Sequence, residues 1–215
     1  MHKTVSAAAL ITLATTLASC GAIVGKFVPP QTVENPAGLN GKTLSSSGPL
    51  QPAAVKGTVS YSTQGAPFAD VAYPKDVPFD IRPHALEFQA GFTEATASGL
   101  CNAPQSAKVT LKTLKVEVSD AAGKATFNAT VNATFNLTRR SSGVSSVVYS
   151  VNADDLATLK VGAAETDAFI RALTSGGDNT ASVVAEIGAD QDGLAGCSMS
   201  FKLNDRTKVI LSDFS

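Results

Sequence analysis

Any chemistry in this chain has to come from very few side chains. There are three cysteines, Cys20, Cys101 and Cys197, and two histidines, His2 and His84. The cysteines form no Cys-x-x-Cys motif and none lies beside a histidine, so a redox-active or metal-binding pair lacks its usual spacing. His84 sits between Pro83 and Ala85. No Gly-x-Ser-x-Gly elbow offers it a nucleophile, so it reads as a surface or packing residue. Asp190-Gln191-Asp192-Gly193 has the oxygen-rich, glycine-turned composition of part of a calcium loop. The first acidic position of the full pattern is Gly188 and the last is Met199, so a polar turn between strands is the preferred reading. Asp154-Asp155 reads in the same way, as an acidic turn or helix start. Asn128-Ala129-Thr130, Asn132-Ala133-Thr134 and Asn136-Leu137-Thr138 are sequons at a spacing of four, better explained by a polar strand face of alternating amides and hydroxyls. No catalytic residue, metal ligand or cofactor site is assigned.

The N-terminus is more specific. His2 and Lys3 open a polar start, and Val5 to Leu17 is an apolar, small-residue run too short to span a bilayer. It ends in Leu17-Ala18-Ser19-Cys20, which resembles the lipobox of bacterial lipoproteins. The resemblance covers about the first twenty residues. It implies that residues 1–19 are a signal peptide, that Cys20 is the lipidated first residue of the mature protein, and that the membrane is reached through its acyl chains. Two or three chains give a stable anchor where one gives a marginal one. Ala18 and Ser19 also suit an ordinary secretory cleavage site. Gly21 replaces the aspartate that retains such proteins in an inner membrane, which favours the outer membrane if the cell has one.

Export implies an oxidising compartment. With Cys20 lipidated, Cys101 and Cys197 remain and are expected to pair as a structural disulfide. The whole chain carries a formal net charge of −1, and loss of Lys3 makes the mature chain slightly more acidic. So weak a field argues against a nucleic-acid partner or a polybasic membrane-surface binder.

These features must be positioned by β structure. Gly21 to Ala54 is rich in Pro, Gly and Ser and reads as a tether over 20–54. Ile23, Val24, Phe27 and Val28 leave room for a partner-binding strap. Residues 55–215 form the domain. Val55 to Tyr61 alternates as a half-buried strand, and Leu86, Phe88, Ala90 and Phe92 mark a second. Residues 62–84 between them carry four prolines and form a long loop. In Lys108 to Ser119 the apolar parity slips from Val109 and Leu111 to Leu114, Val116 and Val118, which predicts a β-bulge near Lys112-Thr113. Ala125 to Leu137 alternates without a break and predicts one strand of roughly 40 Å, long enough to bend or to serve two sheets. Arg139 to Gly143 is expected as a turn and Val144 to Val151 as a strand. Ala163 to Thr174 is the one helix candidate, with Glu165 and Asp167 near its start, Arg171 near its end and Gly176-Gly177 as its stop. Three further strands follow at Ala181 to Ala189, Cys197 to Leu203 and Thr207 to Leu211, the last two joined as a hairpin through Asn204-Asp205-Arg206.

The expectation is an all-β chain, an antiparallel β-sandwich or partly closed barrel with one short helix. Function is expected to be non-enzymatic: an accessory, structural or binding subunit of an envelope protein complex. The alternative is a binding module for a small apolar or saccharide ligand, walled by the 62–84 loop and the Asn/Thr face. A third reading is an envelope enzyme resembling the copper superoxide dismutases, which are also disulfide-bearing sandwiches. It is disfavoured because their copper site needs several histidines and the mature chain has His84 alone.

Overall fold

The computed structural model describes residues 27–35, 38–51, 56–63, 82–120, 123–174, 180–190 and 192–215. The strands are β1 (Gln31–Glu34), β2 (Thr43–Ser46), β3 (Lys56–Thr63), β4 (Pro83–Ser98), β5 (Ser106–Asp120), β6 (Gly123–Ser142), β7 (Ser146–Val151), β8 (Leu156–Val161), β9 (Thr180–Ala189), β10 (Ser198–Leu203) and β11 (Lys208–Phe214). Helix α1 (Ala163–Thr174) lies between β8 and β9, and a short 3-10 turn covers Asp192–Leu194. The described residues form an all-β antiparallel sandwich with one short helix among them, as the alternation predicts.

β4 is the spine. Its C-terminal half, Glu94–Ser98, pairs with β10 on one edge and β7 on the other. Its N-terminal half pairs with β11 on the first edge and β8 on the second. β1 extends β11 outward. From β10 the ladder runs through β2 to β3 by two residue pairs, Ser45–Ser60 and Ser46–Val59, and on through β9 and β5 to β6. β6 returns to β7 through Leu137–Ser142. One layer is therefore centred on β4 and the other is β3-β9-β5-β6, with hydrogen-bonded joints at both sides.

Inward side chains fill the space between the layers. Phe92 of β4 stacks edge-on against Phe135 of β6, with ring centroids 4.8 Å apart, and touches Phe201 of β10 at 5.2 Å. Tyr149, Leu137, Ile187, Val209 and Leu211 are buried around them. α1 packs on β4 and β6, and Phe169 meets Phe127 of β6 at 5.1 Å. Its first turn is set by Gly162, whose carbonyl accepts from both the Thr166 N–H at 2.9 Å and the Thr166 hydroxyl at 2.7 Å.

The bulge predicted near Lys112 is present. The register of β5 slips between Leu111 and Thr113 against both neighbours, so Leu111 and Leu114 both face inward and are buried. Opposite it, Asn132 of β6 takes a left-handed φ of 52°. The long strand bends there, as its length requires, while Phe127, Phe135 and Leu137 all stay buried.

Gly91 explains the middle of β4. A Cβ at this position would lie 2.5 Å from Asn204 Nδ2, 2.9 Å from the Asp155 carbonyl and 2.9 Å from Leu156 Cδ2. Two connections cross there, 152–155 between β7 and β8 and 204–207 between β10 and β11, and glycine is the residue that lets both pass. The Asn204 N–H donates to the Gly91 carbonyl at 2.9 Å. Arg206 Nη1 donates to the Ala153 carbonyl at 3.2 Å, tying one crossing to the other.

Four expectations are corrected. β10 and β11 are not a hairpin; both run along the same edge of β4, because the 204–207 connection crosses at Gly91 instead of folding back. Arg139 and Arg140 are not in a turn but inside β6, where their backbone pairs with β7 past a register slip. The span expected as a tether contains β1 and β2, and Leu39, Leu44 and Leu50 from it are buried. Leu44 is the single buried leucine of the four-residue β2, and Leu39 and Leu50 lie in the connections on either side of it. The 62–84 loop loses Ser62 and Thr63 to β3 and Pro83 and His84 to β4. Cys20, residues 64–81 and Gly176-Gly177 lie outside the described residues.

Candidate binding surface

The outward side of β9-β5-β6 is the largest organised polar surface the sequence singled out. Along β6, Asn128, Thr130, Asn132, Thr134 and Asn136 are all exposed. They point outward because the alternate residues are held by the core, the parity that a pleated strand imposes. β5 sets their neighbours: Asn128 lies opposite Lys115, Thr130 opposite Thr113, Thr134 opposite Thr110 and Asn136 opposite Lys108. The Thr110 and Thr134 hydroxyls are 3.3 Å apart. Next in the sheet, Thr113 lies opposite Glu186, and Thr110 opposite Gly188. Lys112, thrown out of register by the bulge, lies over Gly188; a Cβ there would be 3.0 Å from its Cε. The alkyl chain of Lys112 thus covers a gap that Gly188 leaves in the sheet.

An ion-pair cluster closes one end of this surface. Glu117 lies between Lys124, at 2.6 Å, and Lys115, at 3.3 Å. The hydrogen bond from Lys124, and then that from Lys115, hold the Glu117 carboxyl below its ordinary range. The central stretch from Asn128 to Thr134 carries amides and hydroxyls alone.

The opposite end of the molecule is locked by covalent and polar ties. Cys101 and Cys197 form the predicted disulfide, with Cα atoms 5.3 Å apart and a sequence separation of 96. It joins the β4–β5 connection to the start of β10. Below it, the Tyr149 hydroxyl donates to the Pro104 carbonyl at 2.8 Å, and Arg139 donates to the Ala103 carbonyl. Burial raises the Tyr149 phenol above its ordinary range, against the opposing charge of Arg139. Leu100 and Val144 stand fully exposed on two turns at this end, linked by the Gly99 N–H to the Ser145 carbonyl at 3.1 Å. Neither was singled out from sequence, since one apolar residue in a turn carries no pattern.

The remaining sequence candidates resolve into local structure. The Asp190 carboxylate accepts from the Lys108 backbone N–H at 2.7 Å and fixes the turn after β9. Asp155 Oδ2 accepts from both the backbone and side-chain amides of Asn136, at 2.9 and 3.1 Å, and Asp154 faces Arg206 at 3.5 Å. His84 Nε2 lies 2.5 Å from the Ser215 hydroxyl. Among the described residues no three His, Cys, Asp or Glu side chains converge on one point, and no helix is long and apolar enough to cross a membrane.

No family model and no curated protein matches the chain. Among solved structures it is similar to TmCBM61 in complex with β-1,4-galactotriose, at 11% identity over 90% of this chain and 94% of that one, with a TM-score of 0.25. It is also similar to infectious bursal disease virus Gt strain, at 14% identity over 85% and 32% of the two chains and a TM-score of 0.29. A third is SGBP-B from a complex xyloglucan utilization locus in Bacteroides uniformis, at 12% identity over 84% and 44%, with a TM-score of 0.24. Overlaps this low carry no weight for function.

Proposed function

We propose that this chain is a non-enzymatic, lipid-anchored envelope protein that works by binding. Cys20 is its lipidated residue, residues 1–19 are its signal peptide, and the outer membrane is its site in a two-membrane cell. β1 begins at Gln31, so the folded part stands close to the anchor on a tether much shorter than 20–54. The binding reading is supported by one observation: the exposed side chains from Asn128 to Asn136 are uncharged hydrogen-bond formers held on a rigid, core-backed strand. Such a face suits a neutral partner surface within an envelope assembly, and it lacks the cationic field that a nucleic acid needs.

A second reading, a saccharide-binding module, draws on the same amides and hydroxyls, which match the donors and acceptors of sugar hydroxyls. Affinity purification from gently solubilised membranes tests the first reading. The wild-type chain should bring down a reproducible partner, and a Thr110→Glu, Thr134→Glu double variant should lose it. Binding to a neutral glycan array that the same variant abolishes would support the second. A chain that runs alone and binds neither refutes both.

A further inference from the structure

One strand edge has no paired strand among the described residues. β6 pairs with β5 from Gly123 to Thr138, but on its other side β7 takes only Leu137–Ser142. Asn136 is closed off next to that: its amides donate to Asp155, and its carbonyl accepts from the Asn152 N–H at 3.3 Å. Beyond it the chain turns at Asn132. From Lys124 to Val131 no described strand pairs with this edge.

Edge strands are normally guarded by charge, proline or inward-pointing ionic groups. This one has no charged residue, proline or glycine from Ala125 to Thr138. The charge at its end is committed elsewhere, since Lys124 turns to Glu117 on β5. Phe, Val and Thr supply strand-forming side chains along the run.

We propose that β6 pairs antiparallel with β6 of a second copy of this chain, about a two-fold axis at Asn128. Lys124 and Asn132 bound the open run, and Asn128 is its midpoint, which sets the register. Asn128 then faces its own counterpart, and Thr126 faces Thr130 across the axis. On the inner side Phe127 meets Ala129, large against small. Lys124 meets Asn132, so no like charges oppose, and the amide and hydroxyl pairs satisfy one another. The contact is isologous and closes at two copies. It is short, so the association is reversible. The proposal is independent of the anchor and of any ligand.

Sedimentation velocity of the full chain carrying Cys20→Ala, so that a shared micelle cannot count as association, should show a concentration-dependent shift from the mass of one chain to that of two. A Thr126→Lys, Thr130→Lys double variant sets lysine directly opposite lysine on both sides of the axis, at outward positions that lie opposite Glu117 and Thr113 within the chain, and should hold the chain at the mass of one, with an unchanged melting curve. In membranes with Cys20 intact, Asn128→Cys should give a two-chain band under mild oxidation. It should form at least about tenfold faster than with Thr158→Cys, an exposed position on β8, because directly opposed cysteines meet the disulfide distance. If the Cys20→Ala chain stays as precursor, the cross-linking decides alone. One-chain mass at every concentration, a dimer that ignores the Thr126→Lys, Thr130→Lys pair, or equal cross-linking at both positions overturns the proposal.

Discussion

Gly91→Ala is the sharpest test of the fold. The new Cβ would lie 2.5 Å from Asn204 Nδ2 and 2.9 Å from the Asp155 carbonyl, where carbon contacts settle at about 3.5–4.0 Å. Asn204 can retreat, but the Asp155 carbonyl is backbone and is held by the crossing itself. Overpacking of this kind costs about 1–3 kcal/mol. Moving Asn204 also strains two hydrogen bonds, from its N–H to the Gly91 carbonyl at 2.9 Å and from the Arg206 N–H to its side chain at 3.0 Å, each worth about 1 kcal/mol. With both bonds lost the total is about 3–5 kcal/mol, or roughly 6–20 °C in Tm for a chain of this size. Urea and thermal unfolding of the variant should show it, with Gly48→Ala as the control, since nothing lies within 4 Å of a Cβ there. Equal stability of Gly91→Ala and wild type would falsify the two-crossing account.

A Cys101→Ser, Cys197→Ser double variant should lose ~2–5 kcal/mol yet fractionate with membranes as wild type does; stoichiometric labelling of both native thiols without denaturant would contradict the bridge. Cys20→Ala should abolish palmitate incorporation and either release the domain or stall the precursor, and unchanged labelling refutes the anchor. Tyr149→Phe strands the Pro104 carbonyl and should cost about 1–3 kcal/mol by denaturant unfolding. Because the Tyr149 phenol is raised in the folded state, its contribution is complete below the unfolded tyrosine pKa and is lost as pH rises through the folded one; an absorbance titration with a normal phenol would contradict its burial. Lys124→Ala should move the Glu117 carboxyl back up toward the ordinary glutamate range by NMR titration. Its depressed value means that any stabilisation it gives is present above the unfolded pKa and lost as pH falls through the folded one.

What could be read in advance followed from parity. The slip from Leu111 to Leu114 revealed the bulge, since a buried face tolerates no change of phase without an extra residue. The unbroken run from Phe127 to Leu137 revealed the long strand and its polar side. β8 escaped notice because only Ala157 and Leu159 face inward, too weak an alternation to stand out among Thr158, Lys160 and the acidic turn before it. β2 rests on Leu44 alone. Asn204-Asp205-Arg206 has good turn chemistry, but turn chemistry does not say whether the next strand folds back or continues along the same neighbour. That choice was made by Gly91, more than a hundred positions earlier in the chain. The Asn/Thr row was legible as a surface; its setting beside Lys112 and Gly188 was not, because cross-strand neighbours depend on register.

The arrangement around β4 also dictates when the molecule can form. β1 pairs with β11, and β2 lies between β3 and β10, so the first strands of the chain wait for the last. One whole edge of the spine stays open until Ser198 to Phe214 has been delivered. Contacts of such long sequence separation make folding slow. A chain that emerges N-terminus first therefore cannot complete this sheet until β10 and β11 are available. The β5–β6 hairpin, the longest local pairing, is free to form meanwhile. Completion is timed by β10 and β11, the two strands that close this edge of β4.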